Sequence, residues 1–342
     1  MQPVPMTSAS PVHTIADIAR LAGVSKSTVS RALNDSPLIG SETKARVREI
    51  AREHRFQMND PARRLSLRQS HVIALATYEY KADVSVPDAF LLEIISGIST
   101  GLHSSGYDLL LIQVSAKETD WVSRYLESAR VDGFILMSAS CTQAHIRTLA
   151  ERKAPFVIWG TRPGTHSYCS VSGDSFAGGR TATEHLMRSG RRRIAFVGGP
   201  AREVEVQDRY RGYEAALRDG GKPLDPTLVV YGDYSPASGA AGIRTLLEGA
   251  GDIDGVFLNS DLMAIAAMDE IRAHGLKVPD DIAVVGYDDV SLAEHSDPPL
   301  TTVRQNGPLA GRLLAETLIE HLRTGAVTNV SIPAELVIRK SA

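Results

Sequence analysis

Cysteine is scarce in this chain of 342 residues: Cys141 and Cys169 are the only two. Two thiols build neither a disulfide framework nor a four-ligand zinc site, and they read as small core residues. No apolar run reaches the length of a helical membrane span. Residues 1–13 carry neither a basic start nor an apolar stretch, so they read as a flexible extension rather than a secretion signal, and a cytoplasmic location is expected. Catalytic signatures are missing as well. Gly198-Gly199-Pro200 follows a strand pattern but lacks the G-x-G-x-x-G spacing and the phosphate-loop lysine. There is no G-x-S-x-G, no C-x-x-C and no metal-spaced histidine pair; His295 reads as loop surface or pocket wall. No enzyme activity, cofactor or metal is therefore expected. What remains is an ordinary globular composition, 43% hydrophobic and 23% charged, long enough for two or three domains.

The net charge of −3 conceals an asymmetry. Residues 1–70 carry 11 Lys and Arg against 6 Asp and Glu, a balance of +5, while the remaining 272 residues carry −8. A basic head on an acidic body suggests that the head alone meets a polyanion. Within the head, Thr14 suits a helix N-cap, with Asp17 three residues on. Ile15, Ile18, Ala19 and Ala22 recur at helical spacing, and Gly23 ends the helix, where a left-handed backbone is cheap only without a Cβ. Ser25 caps a second helix whose Val29 and Leu33 point back to the first and whose other face carries Lys26, Ser27, Ser30 and Arg31. That is a helix-turn-helix pattern, with a polar second helix short enough to enter a major groove.

A third helix opens at Gly40 or Ser41, with Val47, Ile50 and Ala51 facing inward and Lys44, Arg46, Arg48 and Arg52 toward its exposed sides. Asp60 and Pro61 then start a segment of about two turns, too short to hold a helix alone in water. Leu65 stands there among arginines: either it packs on the body, or it wedges into a minor-groove base step with Arg63 and Arg64 near phosphates. From His71 onward strand and helix patterns alternate, which predicts two doubly wound parallel sheets with a cleft, binding ligand at the carboxyl ends of their strands.

These features together resemble the lactose-repressor family of bacterial transcription regulators. The residues that carry the resemblance are Thr14-Ile-Ala-Asp-Ile-Ala, Gly23-Val-Ser, Thr28-Val-Ser-Arg31, Asn34, Pro61-Ala62 with Leu65, Gly106-Tyr-Asp-Leu-Leu110 and Val131-Asp-Gly-Phe134. Further along they are Gly178-Gly179, Arg193 to Pro200, Asp208-Arg-Tyr-Arg-Gly-Tyr213, Val284 to Asp289 and Pro298 to Val303. The resemblance implies an all-α helix-turn-helix head (14–58), a hinge helix ordered by DNA (59–70) and a two-lobed α/β sensor like periplasmic sugar-binding proteins (71–342). The lobes are expected at about 71–172 with 304–330, and at 173–303 with 331–342. It also implies a homodimer on pseudo-palindromic double-stranded operator DNA, repressing until a small carbohydrate enters the cleft.

By motif position, Lys26, Ser27 and Arg31 are the implied base readers, Thr28, Ser30 and Asn34 the phosphate or groove contacts, and Leu65 the minor-groove leucine beside Arg63 and Arg64. In the sensor, Arg209 and Asp288 are the implied effector clamps, Asp261 lies in the same cleft and Tyr234 stacks on the ligand. Trp159 and Phe90 stand equally well as cleft wall or core. Departures from the family pattern are Ser260, where a ligand-binding Asn is common, Asp174 in place of Asn, and a longer polar loop at Thr77 to Pro87. With no heptad extension after Ile338, a tail-mediated tetramer is not expected. Two other readings stand beside the repressor. One is a corepressor-type regulator answering to a purine or other metabolite. The other is a sugar-binding protein or enzyme with a fused helical head, which the missing secretion signal and missing catalytic constellation oppose.

Overall fold

A computed structural model describes residues 14–54, 56, 69–78, 89–114, 120–137, 143–160, 167–249 and 252–342. The extension 1–13, the hinge residues Arg63, Arg64 and Leu65, and residues 79–87 of the polar loop lie outside that set. The chain divides into two compact units between Ser70 and His71.

Among the described residues the first unit holds three helices, α1 (Ile15–Ala22), α2 (Lys26–Leu33) and α3 (Ser41–Glu53). Thr14 and Asp17 form a reciprocal capping box, satisfying two backbone donors at the start of α1. Gly23 takes the left-handed conformation at φ 64° and turns the chain sharply. Ser25 then caps α2 by accepting from the Thr28 N–H. Ile18, Val29 and Val47, one from each helix, are fully buried and close a small core with Ala19, Ala22, Ala32 and Ala51.

The second unit carries two six-stranded sheets. Strands β1 (Val72–Tyr78), β2 (Asp108–Val114), β3 (Gly133–Met137), β4 (Phe156–Trp159), β5 (Cys169–Gly173) and β11 (Asn329–Ile332) build one, in the order β11-β5-β4-β3-β1-β2. Strands β6 (Ile194–Gly198), β7 (Val229–Tyr231), β8 (Gly255–Leu258), β9 (Ala283–Asp288), β10 (Thr301–Arg304) and β12 (Glu335–Val337) build the other, as β12-β10-β9-β8-β6-β7. The orders correspond strand for strand, so each lobe has a switch point where its first strand pairs on both sides: β1 between β2 and β3, β6 between β7 and β8. Ligands of open α/β sheets bind at such points.

One expectation needs correction. β12 runs antiparallel to β10, so the second sheet is mixed rather than wholly parallel. Strands β5, β10, β11 and β12 carry no apolar run in the sequence; they are three to five residues long and include Ser, Thr, Asn or Glu. They form because a preformed neighbour offers its edge.

Helices cover both faces: α4 (Ala89–Ser104), α5 (Trp121–Leu126), α6 (Gln143–Glu151) and α12 (Gly307–Thr324) on the first lobe, α7 (Ser175–Arg188), α8 (Val204–Asp219), α9 (Pro236–Gly249), α10 (Asp261–Ala273) and α11 (Ser291–His295) on the second. Each lobe contains very close helix crossings. A Cβ at Gly311 of α12 would collide with the Ile94 carbonyl of α4, and one at Gly179 of α7 with the Arg209 carbonyl of α8. Cys169 is buried in the first-lobe core as a free thiol. The chain passes between lobes three times, after β5, after β10 and between β11 and β12. Near the C-terminus Ser341 is fully buried. Its hydroxyl donates to the Val284 carbonyl (2.6 Å) and accepts from the Thr301 N–H (2.8 Å).

Candidate functional site

In the helical unit, Lys26, Ser27, Arg31 and Asn34 are exposed while Thr28 and Ser30 are half-buried. Their spacing places Ser27, Arg31 and Asn34 on one side of α2, opposite the buried Val29 and Ala32. The Ser25 hydroxyl lies 2.8 Å from both the Ser27 and the Thr28 hydroxyls, which fixes the first turn of that surface. Not every basic residue of the head is available to a polyanion. Asp35, held at φ 55°, draws Lys44 to 3.0 Å and Arg48 to 2.9 Å, and Lys44 first, then Arg48, lowers its pKa. Among the described residues, ion pairs with Asp35 and Glu49 engage Lys44, Arg48 and Arg52 of α3.

In the sensor, the second-lobe switch point gathers most of the residues singled out from sequence. Arg209 projects from α8 and is 5% exposed; its Nη1 donates to the Asn259 carbonyl (2.7 Å), the residue that follows β8. Its guanidinium lies over the Tyr287 ring at 3.7 Å, a cation–π contact that holds the fork flat. Asp288, at the end of β9, accepts from Gln305 Nε2 (2.6 Å). Its backbone sits at φ 113°, and Asp289 follows at φ 60°. Two successive non-glycine residues in this region are costly and persist only where the surroundings enforce them. Tyr234, at φ 68°, lies against Gly199 just past β6, so that a Cβ on Gly199 would strike its ring. A guanidinium fork, a carboxylate and an aromatic plate at the carboxyl ends of parallel strands can grip a small molecule rich in hydroxyls.

Besides Arg209, four of the expected site residues, Asp261, Ser260, Phe90 and Trp159, are buried. Asp261 is fully buried, and both its oxygens are engaged, by the Thr302 hydroxyl (2.5 Å) and the Val290 N–H (2.9 Å). Burial pushes its carboxyl well up, although those two hydrogen bonds oppose the shift. Asp261 therefore braces the loop after β9. Ser260 spends its hydroxyl as the N-cap of α10, accepting from the Met263 N–H (3.3 Å). Phe90 and Trp159, 5.7 Å apart between ring centres and each 7% exposed, belong to the first-lobe core, with Trp159 at the edge where β4 ends. Asp174 caps α7, and His295 is exposed on α11.

Sequence reasoning missed two groups. Glu203, just before α8, accepts from the Tyr234 hydroxyl (3.0 Å). Burial raises its carboxyl to about 7, and the Tyr234 hydrogen bond only partly offsets that. The folded chain thus holds this proton up to about pH 7, whereas an unfolded chain releases it near 4.5. Between those values the folded state binds more protons, so its contribution to stability is complete below pH 4.5 and is lost as pH rises toward 7. Glu203→Gln, which keeps an acceptor for Tyr234, should flatten that decline by ~3 kcal/mol at most in urea unfolding across the window; an unchanged slope would place the titration elsewhere. The second missed group is Asp289, whose carboxylate receives Arg304 Nε (2.7 Å) and Arg339 Nη2 (2.6 Å). The adjacent pair Asp288-Asp289 at a strand end was the available signal.

Comparison with known proteins accords with this geometry. Residues 14–59 match the profile of bacterial regulatory proteins, lacI family, and residues 183–342 that of a periplasmic binding protein-like domain. The HTH-type transcriptional regulator CelR of Thermobifida fusca is 37% identical over 336 residues, covering 96% of this chain and 98% of that one. The repressor PurR of Aliivibrio fischeri strain MJ11 is 31% identical over 91% of this chain and 92% of its own. Among solved structures, the CelR–cellobiose complex aligns with TM-score 0.74 at 34% identity, over 96% of this chain and 99% of that one. The lac repressor dimer bound to operator and the anti-inducer ONPF aligns with TM-score 0.83 at 28% identity, over 97% and 99%. Among the described residues no helix is long and apolar enough to cross a membrane. The helical head, the paired sheets and near full-length identity to CelR lead to one conclusion: this chain belongs to the lacI family of bacterial regulatory proteins.

Proposed function

We propose that the chain is a cytoplasmic transcriptional repressor, a homodimer on pseudo-palindromic operator DNA, released when a small carbohydrate binds between the sensor lobes. The observation that carries this reading is the convergence of Arg209, Asp288 and Tyr234 at the carboxyl ends of β6, β8 and β9, with a fork, a carboxylate and a ring suited to sugar hydroxyls and a sugar face. CelR, whose structure holds cellobiose, supports the carbohydrate class, so cellobiose is the first probe. The head spans 14–58, the hinge 59–70 and the sensor 71–342. Lys26, Ser27 and Arg31 read bases, Thr28, Ser30 and Asn34 contact phosphate or groove, and Leu65 wedges into the minor groove with Arg63 and Arg64 near phosphates.

An operator selected in vitro from random duplexes tests the DNA half. Arg31→Ala should weaken binding to it roughly 10- to 100-fold and relax preference at one symmetric base position, the loss of a bidentate guanine contact. A uniform loss across all sequences would reduce Arg31 to a phosphate contact. Adding cellobiose to the wild-type complex should release the operator. The PurR relatives support a second reading, in which a metabolite strengthens DNA binding; tighter binding on titration with a purine base, and none of the release by sugar, would favour it.

A further inference from the structure

The segment Asp288 to Ser291 is held from both lobes at once. Asp288 and Asp289 belong to the second lobe through Gln305, Arg304 and Arg339. One residue on, Val290 has its N–H bound by Asp261 of the second lobe, yet its side chain, 2% exposed, sits in the apolar core of the first lobe with Phe90, Ile94, Trp159 and Ala310. The backbone of the next residue, Ser291, lies close enough to the carboxylate of Glu93 on α4 of the first lobe to favour its charged form, although burial raises the Glu93 pKa overall. Glu93 itself packs against Gly307 at the start of α12, close enough that a Cβ there would stand 2.8 Å from the Glu93 Cβ. The positive φ values of Asp288 and Asp289 are the backbone's response to being fixed at both ends.

From this we infer that Val290 and Glu93 are positioning residues, which lock the carboxylate of Asp288 to the opposite lobe so that any movement of Asp288 on effector binding is passed directly into the lobe angle. The inference rests on the effector reading above, since it takes Asp288 as the group that meets the ligand. Physically, the plug is a short lever: a single residue, Asp289, separates Asp288 from a side chain embedded in the other lobe, and packed cores yield by discrete steps rather than continuous deformation. Leu292, 50% exposed on the same short helix, lies outside the lever and serves as its control.

The full-length protein tests this in two arms. Spin labels at Glu151→Cys and Glu248→Cys, one in each lobe, in a Cys141→Ser background and in spin-diluted dimers, report the interlobe distance by pulsed dipolar spectroscopy without ligand. Val290→Ser and Glu93→Ala should broaden that distribution, whereas Glu93→Gln, which keeps an acceptor beside the Ser291 backbone, and Leu292→Ala should leave it at wild-type width. Cellobiose and the selected operator form the second arm. Val290→Ser should still bind both, yet the factor by which cellobiose weakens operator binding should drop roughly tenfold, within the range of ordinary allosteric coupling. Unchanged widths, or a full response to cellobiose in Val290→Ser, would overturn the lever. Failure of cellobiose to bind the wild type would overturn the carbohydrate reading instead, and the distance widths would still decide the lever.

Discussion

Arg209→Ala should abolish the response to effector while leaving operator binding intact, giving a repressor locked on its site. The guanidinium is nearly inaccessible, held by the Asn259 carbonyl on one side and the Tyr287 ring on the other. Burial disfavours its charge, but Tyr287, Tyr234, Asp288 and Glu205 around it more than restore it. Hydrogen bonds to a charged donor contribute ~1.5–3 kcal/mol each, so if the fork gives two of them to the proposed sugar, its loss costs on the order of 1,000-fold in affinity. Arg209→Lys keeps the charge without the planar fork and should recover only a part of that. Calorimetric titration with cellobiose, run beside operator binding by fluorescence anisotropy, reads both quantities. Release of operator from Arg209→Ala at wild-type sugar concentrations would remove Arg209 from the effector site.

Asp289→Ala should strongly destabilise the sensor. Its carboxylate is 6% exposed and accepts from two arginines, and Arg304 also reaches Glu335 on β12 (3.3 Å). Removing it leaves the 16%-exposed Arg339 side chain cationic and unpaired beside a buried strand end. Breaking a buried pair on one side costs about 3–5 kcal/mol; because Arg304 is 38% exposed and screened by water, the lower end applies. For a unit of this size that is a fall in Tm of roughly 6–10 °C by calorimetry. A shift under 2 °C would mean that solvent already carries those two charges.

The helical head was legible almost residue by residue, because caps, a glycine turn and helical spacing are local signals: Thr14, Asp17, Gly23 and Ser25 all do in the fold what their chemistry announces. The alternating body was legible wherever a strand is buried on both faces, as in β3, β6 and β9. The short polar strands were not, since Thr-Thr-Val-Arg or Glu-Leu-Val becomes a strand only when a neighbour is already in place. The site was half legible. Arg209, Asp288 and Tyr234 could be placed by motif, but nothing in a linear sequence says that Asp261 will bury its carboxylate behind Thr302 and Val290, or that Glu203 will meet a tyrosine 31 residues later. Those pairings are set by where strands of distant segments happen to end.

The last two strands lie only a few residues apart in the chain yet close opposite sheets, β11 at the edge of one and β12 at the edge of the other, with Ser341 stitched between Val284 and Thr301 beyond them. A stop codon anywhere upstream of Asn329 would therefore strip an edge from both lobes together and expose the unpaired backbone of β5 and β10. Shortened products of this gene would be cleared or would aggregate rather than persist beside the full-length protein.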